Sequence, residues 1–197
     1  ESADPIGWIS ELQKRTKAYY RDDLPRFLGG LVGYFGYETV HLIEERVGGR
    51  DQKLDPIDCP DILLLHSDEV IVYDNLAAKL YFVVFANPQE PDSYERGQKR
   101  LAELFAALRE PVPETAEVTR DLEVPHEETP EEVFTESVLR AKQYIHEGDI
   151  MQVVLSQRMS VPFQSPPLSL YRALRALNPS PYMFYFDLGS YQVVGAS

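Results

Sequence analysis

The chain has 197 residues, of which 44% are apolar and 11% aromatic, and a formal net charge of −13. This is globular composition, enough for one large domain or two small ones. The negative charge argues against a nucleic-acid-binding protein, since phosphate contacts require clustered Lys and Arg. Cys59 is the sole cysteine, which excludes a disulfide framework and favours a reducing cytoplasm. No apolar run approaches the roughly 18 residues of a membrane span.

The first half of the chain predicts a mixture of helices and strands. A helix is predicted over Asp4–Tyr20, beginning at its Asp-Pro pair. The Gly-rich, aromatic stretch Arg26–Val40 indicates a strand with a bend, followed by a turn into a short helix. Asp61–Ala86 contains three β-rich runs, and its centre indicates a hairpin closed around Asp74-Asn75. Near-helical spacing of apolar residues predicts another helix over Asp92–Leu108.

A segment rich in Pro and acidic residues, Arg109–Glu131, interrupts this order and indicates a linker or a surface crossover. It ends in a signal for a helix N-terminus. Thr129 is the predicted N-cap and Pro130 the first helical residue, while Glu132 is placed to close a capping box. The helix is expected to end at Gly148.

The last part of the chain predicts a strand, a helix and a hairpin. QVVLSQRMSVPF, Gln152–Phe163, has strand character throughout. Leucines in phase predict a helix over Leu168–Leu177, which the Asn-Pro pair that follows would end. The final sixteen residues indicate a hairpin around Leu188–Ser190. Because strands and helices do not alternate as in a doubly wound fold, the predicted class is α+β.

No complete catalytic constellation follows from motif chemistry alone. The Gly-rich run GGLVGYFGYE lacks both the G-x-G-x-x-G spacing and the Lys-Ser/Thr of a phosphate-binding loop. Its glycines are more typical of a bulge or a close backbone approach within a strand. The four histidines are scattered without metal-ligand spacing, and Ser156 and Ser160 lack a nucleophile-elbow context.

Three strings are more specific: GGLVGYFGYE (Gly29–Glu38), GDIMQVVLSQR (Gly148–Arg158) and NPSPYMFYF (Asn178–Phe186). Together they resemble the chorismate-utilising enzymes, and among these the large subunits (component I) of anthranilate synthases. The resemblance implies an α+β fold of two orthogonally packed antiparallel β-sheets with surrounding helices, incomplete in this chain. It implies a regulatory-half region over 1–110, a linker over 111–130 and the start of a chorismate-binding domain over 131–197.

Gln152 is the position at which the resemblance bears on chemistry. By alternation, Gln152, Ser156 and Arg158 would share one face of the predicted strand. Relatives that add water to chorismate carry Lys at this place, because water is a poor nucleophile and needs a base. Ammonia needs none, so a neutral amide that orients it suffices. Gln152 therefore favours an aminating enzyme, although a structural hydrogen-bonding role is the alternative.

The resemblance also bears on ligand binding, at the segment Pro181, Tyr182 and Met183. The resemblance implies that this Pro-Tyr-Met segment contacts L-tryptophan, as in feedback-inhibited anthranilate synthases. Two prolines around Ser180 reduce the entropy that a loop loses on binding a ligand, and the Met183 thioether is suited to an aromatic face. Two alternatives stay open: an aminodeoxychorismate synthase of the folate pathway, and a non-catalytic regulatory module that keeps an aromatic pocket.

The resemblance also sets expectations about the whole protein. The family's metal-binding glutamates and catalytic residues would follow Ser197, so the chain is expected to be an internal fragment without activity of its own. The implied reaction requires Mg²⁺, with its ligands outside this chain. It takes ammonia from a glutamine amidotransferase subunit (component II) in a hetero-oligomer, converts chorismate to anthranilate and pyruvate, and is inhibited by L-tryptophan.

Overall fold

A computed structural model describes residues 4–47, 57–112 and 123–196 of the chain. The chain divides into two compact units, unit 1 over Glu1–Val112 and unit 2 over Pro113–Ser197. The middle of the predicted linker, residues 113–122, lies outside the described residues, as does Ser197. The functional assignment of the two regions stays a prediction.

Unit 1 begins with helix α1, Pro5–Arg15. Its start is as predicted, because the Asp4 side chain caps the helix by accepting from the Gly7 N–H at 2.8 Å. It ends five residues before the predicted Tyr20. The hydroxyl and the backbone N–H of Thr16 both donate to the Leu12 carbonyl at 3.1 Å, and Thr16 itself is extended. These bonds satisfy the end of the helix and turn the chain away from it.

The predicted strand of the Gly-rich stretch is confirmed as β1, Gly30–Phe35, which is followed by a 3₁₀ helix over Tyr37–Leu42. β1 pairs antiparallel with β2, Ile62–Ser67. Gly33 lies opposite Leu64 in this ladder. A side chain at Gly33 would collide with the Leu63 carbonyl oxygen, so the backbone approach predicted for a strand glycine is present here.

The predicted hairpin is confirmed as β3, Glu69–Asp74, and β4, Lys79–Val84. The Asp74 carboxylate accepts from the N–H groups of Leu76 and Ala77, both at 2.9 Å. An Asp at the first position of a turn commonly makes such bonds. They fix the turn and with it the antiparallel register.

The predicted helix is confirmed as α2, Ser93–Ala107, and it lies against this hairpin. The Phe105 ring meets Phe82 of β4 edge-on at 6.1 Å between centroids. Arg100 donates to both carboxylate oxygens of Glu69 at 2.7 Å, which joins α2 to β3. These hydrogen bonds hold the pKa of Glu69 below its ordinary value.

Gly97→Ala is expected to raise the free energy of unfolding by about 1 kcal/mol, the helix-propensity difference between the two residues. Gly97 lies inside α2, where an added Cβ would be 3.8 Å from the Ala86 Cβ and 4.0 Å from a Val84 methyl. Both are ordinary contact distances, so the methyl group fits without displacement. Urea denaturation followed by far-UV circular dichroism measures the change, and a lower midpoint in the variant would contradict the expectation.

Unit 2 contains helix α3, Glu131–Glu147, which ends as predicted at Gly148 in the left-handed conformation (φ 86°). The predicted capping box is wrong. Pro130, not Thr129, occupies the N-cap position, and no side chain caps the helix. Pro130 is extended (ψ 145°), and its carbonyl accepts from Phe134 at 3.1 Å. Because Pro130 is extended rather than helical, the helix begins at Glu131, and Thr129 lies one residue too early to cap it.

The predicted strand over Gln152–Phe163 is also wrong in most of its length. Only Met159–Ser160 forms a strand, β6, which pairs with the unpredicted two-residue strand β5, His126–Glu127. Residues 151–158 have no strand assignment. A β-strand requires a neighbouring strand that exchanges backbone hydrogen bonds with it. Within the described ranges, no strand lies beside residues 151–158.

The rest of unit 2 agrees with the prediction. Helix α4, Pro167–Leu177, lies against the hairpin of β7, Phe184–Asp187, and β8, Gln192–Gly195. The class is α+β as predicted, and within residues 4–47, 57–112 and 123–196 the strands pair antiparallel in four two-stranded sheets.

Candidate functional site

The turn between α4 and β7 carries the predicted Pro-Tyr-Met segment. The Tyr182 N–H donates to the Ser180 hydroxyl at 3.3 Å, which closes a small local turn. The Tyr182 side chain is 75% exposed, while Met183 is half-buried at the start of β7. The segment therefore presents one aromatic ring and backbone groups to the outside and holds the thioether partly inside.

The base of this turn is held on both sides by packing. Tyr185 of β7 contacts Tyr171 of α4 at 6.0 Å between ring centroids, and the Arg175 guanidinium lies 5.9 Å from the Tyr171 ring centroid. On the opposite face of β7, Phe184 and Phe186 stack at 5.1 Å. Since β7 is fixed through alternate side chains, the position of the turn that leads into it is also fixed.

Gln152 is exposed and lies in the stretch between α3 and β6 that has no strand partner. The alternating face predicted for Gln152, Ser156 and Arg158 is therefore not formed. Arg158 instead pairs with Glu128 at 3.6 Å. Gln152 and the Pro-Tyr-Met segment both belong to unit 2, but in its described residues no hydrogen bond joins them.

Ser160 has a structural role. Its hydroxyl donates to the Glu128 carboxylate at 3.2 Å, so Glu128 connects to both Ser160 and Arg158 beside the β5–β6 ladder. The hydroxyl thus has a carboxylate partner beside the pair of short strands, β5 and β6.

No group of three or more His, Cys, Asp or Glu side chains that could hold a metal occurs within residues 4–47, 57–112 and 123–196. These ranges therefore supply no set of three side-chain ligands for the Mg²⁺ that the resemblance implies. In the same ranges, no helix combines the length and the apolarity needed to cross a bilayer.

Sequence reasoning missed a cleft of about 890 Å³ in unit 1. Four separate segments line it: residues 12–20 at and after the end of α1, 29–31 at the start of β1, 66–68 at the end of β2, and 85–89 after β4. We call it the unit-1 cleft. No single stretch carries a signal for it, because its walls are distant in sequence.

The chain was compared with protein families and with individual proteins of known function. Residues 2–197 match the sequence profile of the chorismate binding enzymes. The chain is 46% identical to anthranilate synthase component 1 of Pseudomonas aeruginosa over 204 residues, covering 100% of this chain and 41% of that protein. It is 46% identical to the Neisseria meningitidis (serogroup B) protein of the same name over 200 residues, covering 98% and 40%.

The fold has a solved counterpart. The crystal structure of anthranilate synthase component I from Streptococcus pneumoniae superposes with a TM-score of 0.82 at 32% identity, over 100% of this chain and 44% of that one. The chain spans about 40% of the length of the curated relatives that it matches. Because the family profile extends over residues 2–197, this chain belongs to the chorismate binding enzyme family.

Proposed function

We propose that the chain is a segment of an anthranilate synthase component I. The similarity that carries the proposal is the 46% identity to anthranilate synthase component 1 of Pseudomonas aeruginosa along 100% of this chain. In the proposed reaction, ammonia adds at C2 of chorismate and the C4 hydroxyl leaves as water. Pyruvate is then eliminated and anthranilate is formed, in the first committed step of tryptophan biosynthesis. The enzyme would be a carbon–oxygen lyase of the cytoplasm.

Gln152 would orient the ammonia or the substrate. Its exposed side chain offers one carbonyl acceptor and two N–H donors, and a neutral amide does not protonate the incoming nucleophile. The carbonyl oxygen would accept from ammonia and leave the nitrogen lone pair directed at the ring. Ammonia needs no base before it attacks, because its nitrogen lone pair is free. The proton that the resulting ammonium group loses balances the proton that the departing C4 hydroxyl takes up to leave as water.

The Pro-Tyr-Met segment would bind L-tryptophan as the feedback inhibitor. The prolines at 179 and 181 restrict the backbone of the turn, so that ordering it on binding costs little. The exposed Tyr182 ring is available for an aromatic ligand, and Met183 offers a polarisable sulfur beside it.

The remaining parts of the proposal concern groups outside this chain. Mg²⁺ would bind to residues beyond Ser197 and supply positive charge against the substrate carboxylate. Ammonia would come from a glutamine amidotransferase subunit, component II, in a hetero-oligomer. Support for a longer polypeptide comes from the coverage, since the chain spans only 41% and 40% of the two anthranilate synthase component 1 proteins that it matches.

The 197-residue chain is expected to make no anthranilate from chorismate, Mg²⁺ and ammonium salt, whereas the whole-length protein that contains it does. The reason is that the Mg²⁺ ligands of the proposed reaction are expected outside this chain, which spans about 40% of the length of its curated relatives. Anthranilate fluorescence measures both, with a reaction lacking chorismate as the control. Product from the 197-residue chain would refute its predicted inactivity. No anthranilate from the whole-length protein would favour the folate-pathway enzyme or a non-catalytic module.

A further inference from the structure

The unit-1 cleft has the size and construction of a small-molecule site. Its volume of about 890 Å³ lies within the roughly 300–1,000 Å³ of typical ligand pockets. All of its lining residues belong to unit 1. None of them is among the residues for which a role in chorismate chemistry or tryptophan binding was predicted above.

One wall of the cleft is held by packing around Phe85. The Phe85 N–H donates to the Asp68 carbonyl at 2.8 Å, which ties the end of β4 to the start of β3. Gly29 lies beneath the ring, since a Cβ there would be 2.8 Å from Phe85 and 2.7 Å from the Ser67 carbonyl oxygen. Phe85 is therefore held between backbone segments, with Leu31 of β1 also lining the cleft.

The opposite wall is the segment that follows α1. Thr16 is bound to the Leu12 carbonyl, and the Tyr20 hydroxyl donates to the Arg26 carbonyl. Residues 16–20 are thus held at both ends, although they have no regular secondary structure. Leu12 contributes an apolar side chain to this wall.

The charge of the cleft is opposite to that of the chain. Acidic residues outnumber basic ones by 32 to 19 in the whole sequence. The cleft lining includes two cationic residues, Arg15 and Lys17, and a single acidic residue, Asp68. Neither cation forms a hydrogen bond or an ion pair within the described residues, unlike the neighbouring Lys14, which pairs with Glu11 at 2.7 Å. Two cations without partners at an apolar cleft favour an anion with an apolar body.

We propose that the unit-1 cleft binds a small ring-bearing organic carboxylate. Arg15 and Lys17 hold its carboxylate, while its ring lies against Leu12, Leu31 and Phe85. A planar ring suits the Phe85 ring, since aromatic pairs add to the energy of burial. This inference does not rest on the proposed reaction, so a failure of either leaves the other standing.

Benzoate is the probe for this site, with benzamide as its uncharged isostere, and isothermal titration calorimetry of the 197-residue chain is the measurement. Benzoate is expected to bind saturably, and benzamide about ten-fold more weakly, because charge-assisted hydrogen bonds are lost. The double variant Arg15→Gln/Lys17→Gln is expected to weaken benzoate binding by about ten-fold or more and to leave benzamide unchanged. Both side chains are exposed, so the fold is retained.

A matched control removes the same charge elsewhere. Lys99→Gln/Lys142→Gln changes two exposed lysines, on α2 and α3, that do not line the cleft, and it is expected to bind benzoate as the parent does. The proposal is overturned by any of three results: no saturable benzoate binding, equal affinity for benzamide, or equal weakening in the control and cleft variants.

Discussion

Gly33→Ala is expected to lower the free energy of unfolding of unit 1 by about 3 kcal/mol, at the upper end of the usual cost of overpacking. The added Cβ would overlap the Leu63 carbonyl oxygen and come within 3.0 Å of the Leu64 Cα. Both neighbours are backbone atoms of β2, so no side-chain rotation relieves the contact. The β1–β2 ladder would have to separate at the Gly33–Leu64 pair.

The measurement is urea denaturation of the 197-residue chain, and Gly97→Ala is the matched control. The same methyl group is added in both variants, yet the free energy of unfolding is expected to fall in Gly33→Ala and to rise in Gly97→Ala. At Gly97 the neighbours are side-chain atoms at ordinary contact distance, and the helix gains propensity. An unchanged urea midpoint in Gly33→Ala would show that the backbones of β1 and β2 do not approach each other as closely as described.

Prediction from sequence succeeded where the decisive interactions lie within one element or between adjacent ones. The β3–β4 hairpin follows from two β-rich runs and from Asp74, whose carboxylate binds two N–H groups of its own turn. Gly148 ends α3 because glycine adopts the left-handed conformation without strain. In each case the cause lies within a few residues of its effect.

Prediction from sequence failed where the hydrogen-bonding partner of a strand is missing or lies far away in the sequence. Residues 151–158 have the composition of a strand, but composition does not supply the neighbour that a strand needs. β5 was missed for the complementary reason: His126–Glu127 pairs with Met159–Ser160, more than thirty residues away, and two residues carry no periodicity.

The candidate site divides in the same way. The Pro-Tyr-Met turn could be located because prolines and the end of α4 mark it in the sequence, and the structure places it directly before β7. The expected strand face at Gln152 could not be derived correctly, because it depended on a pairing that is not formed. The unit-1 cleft had no sequence signal, since its walls come from four segments between Leu12 and Gln89.

Met183→Thr in the whole-length protein is expected to raise the L-tryptophan concentration that suppresses anthranilate formation by about ten-fold or more, while leaving that formation intact. The thioether contributes a sulfur–aromatic contact and apolar area, and threonine supplies neither. The expected loss of inhibitor affinity is about ten-fold or more. Because Met183 is half-buried at the start of β7, it lies where a ligand seated on the turn would meet it. Titration of anthranilate fluorescence with L-tryptophan is the measurement.

Met159→Thr is the matched control, because it makes the same substitution in the same unit at a side chain that is 53% exposed. Threonine is favoured in strands, so the β5–β6 ladder is retained and inhibition is expected to stay as in the parent. An unchanged L-tryptophan titration in Met183→Thr would leave the segment only a packing role, since removal of a thioether that contacts the ligand must weaken binding. Inhibition lost in both variants would point to a disturbance of unit 2 as a whole. Only loss confined to Met183→Thr connects the rigid turn after α4 to the recognition of an aromatic amino acid.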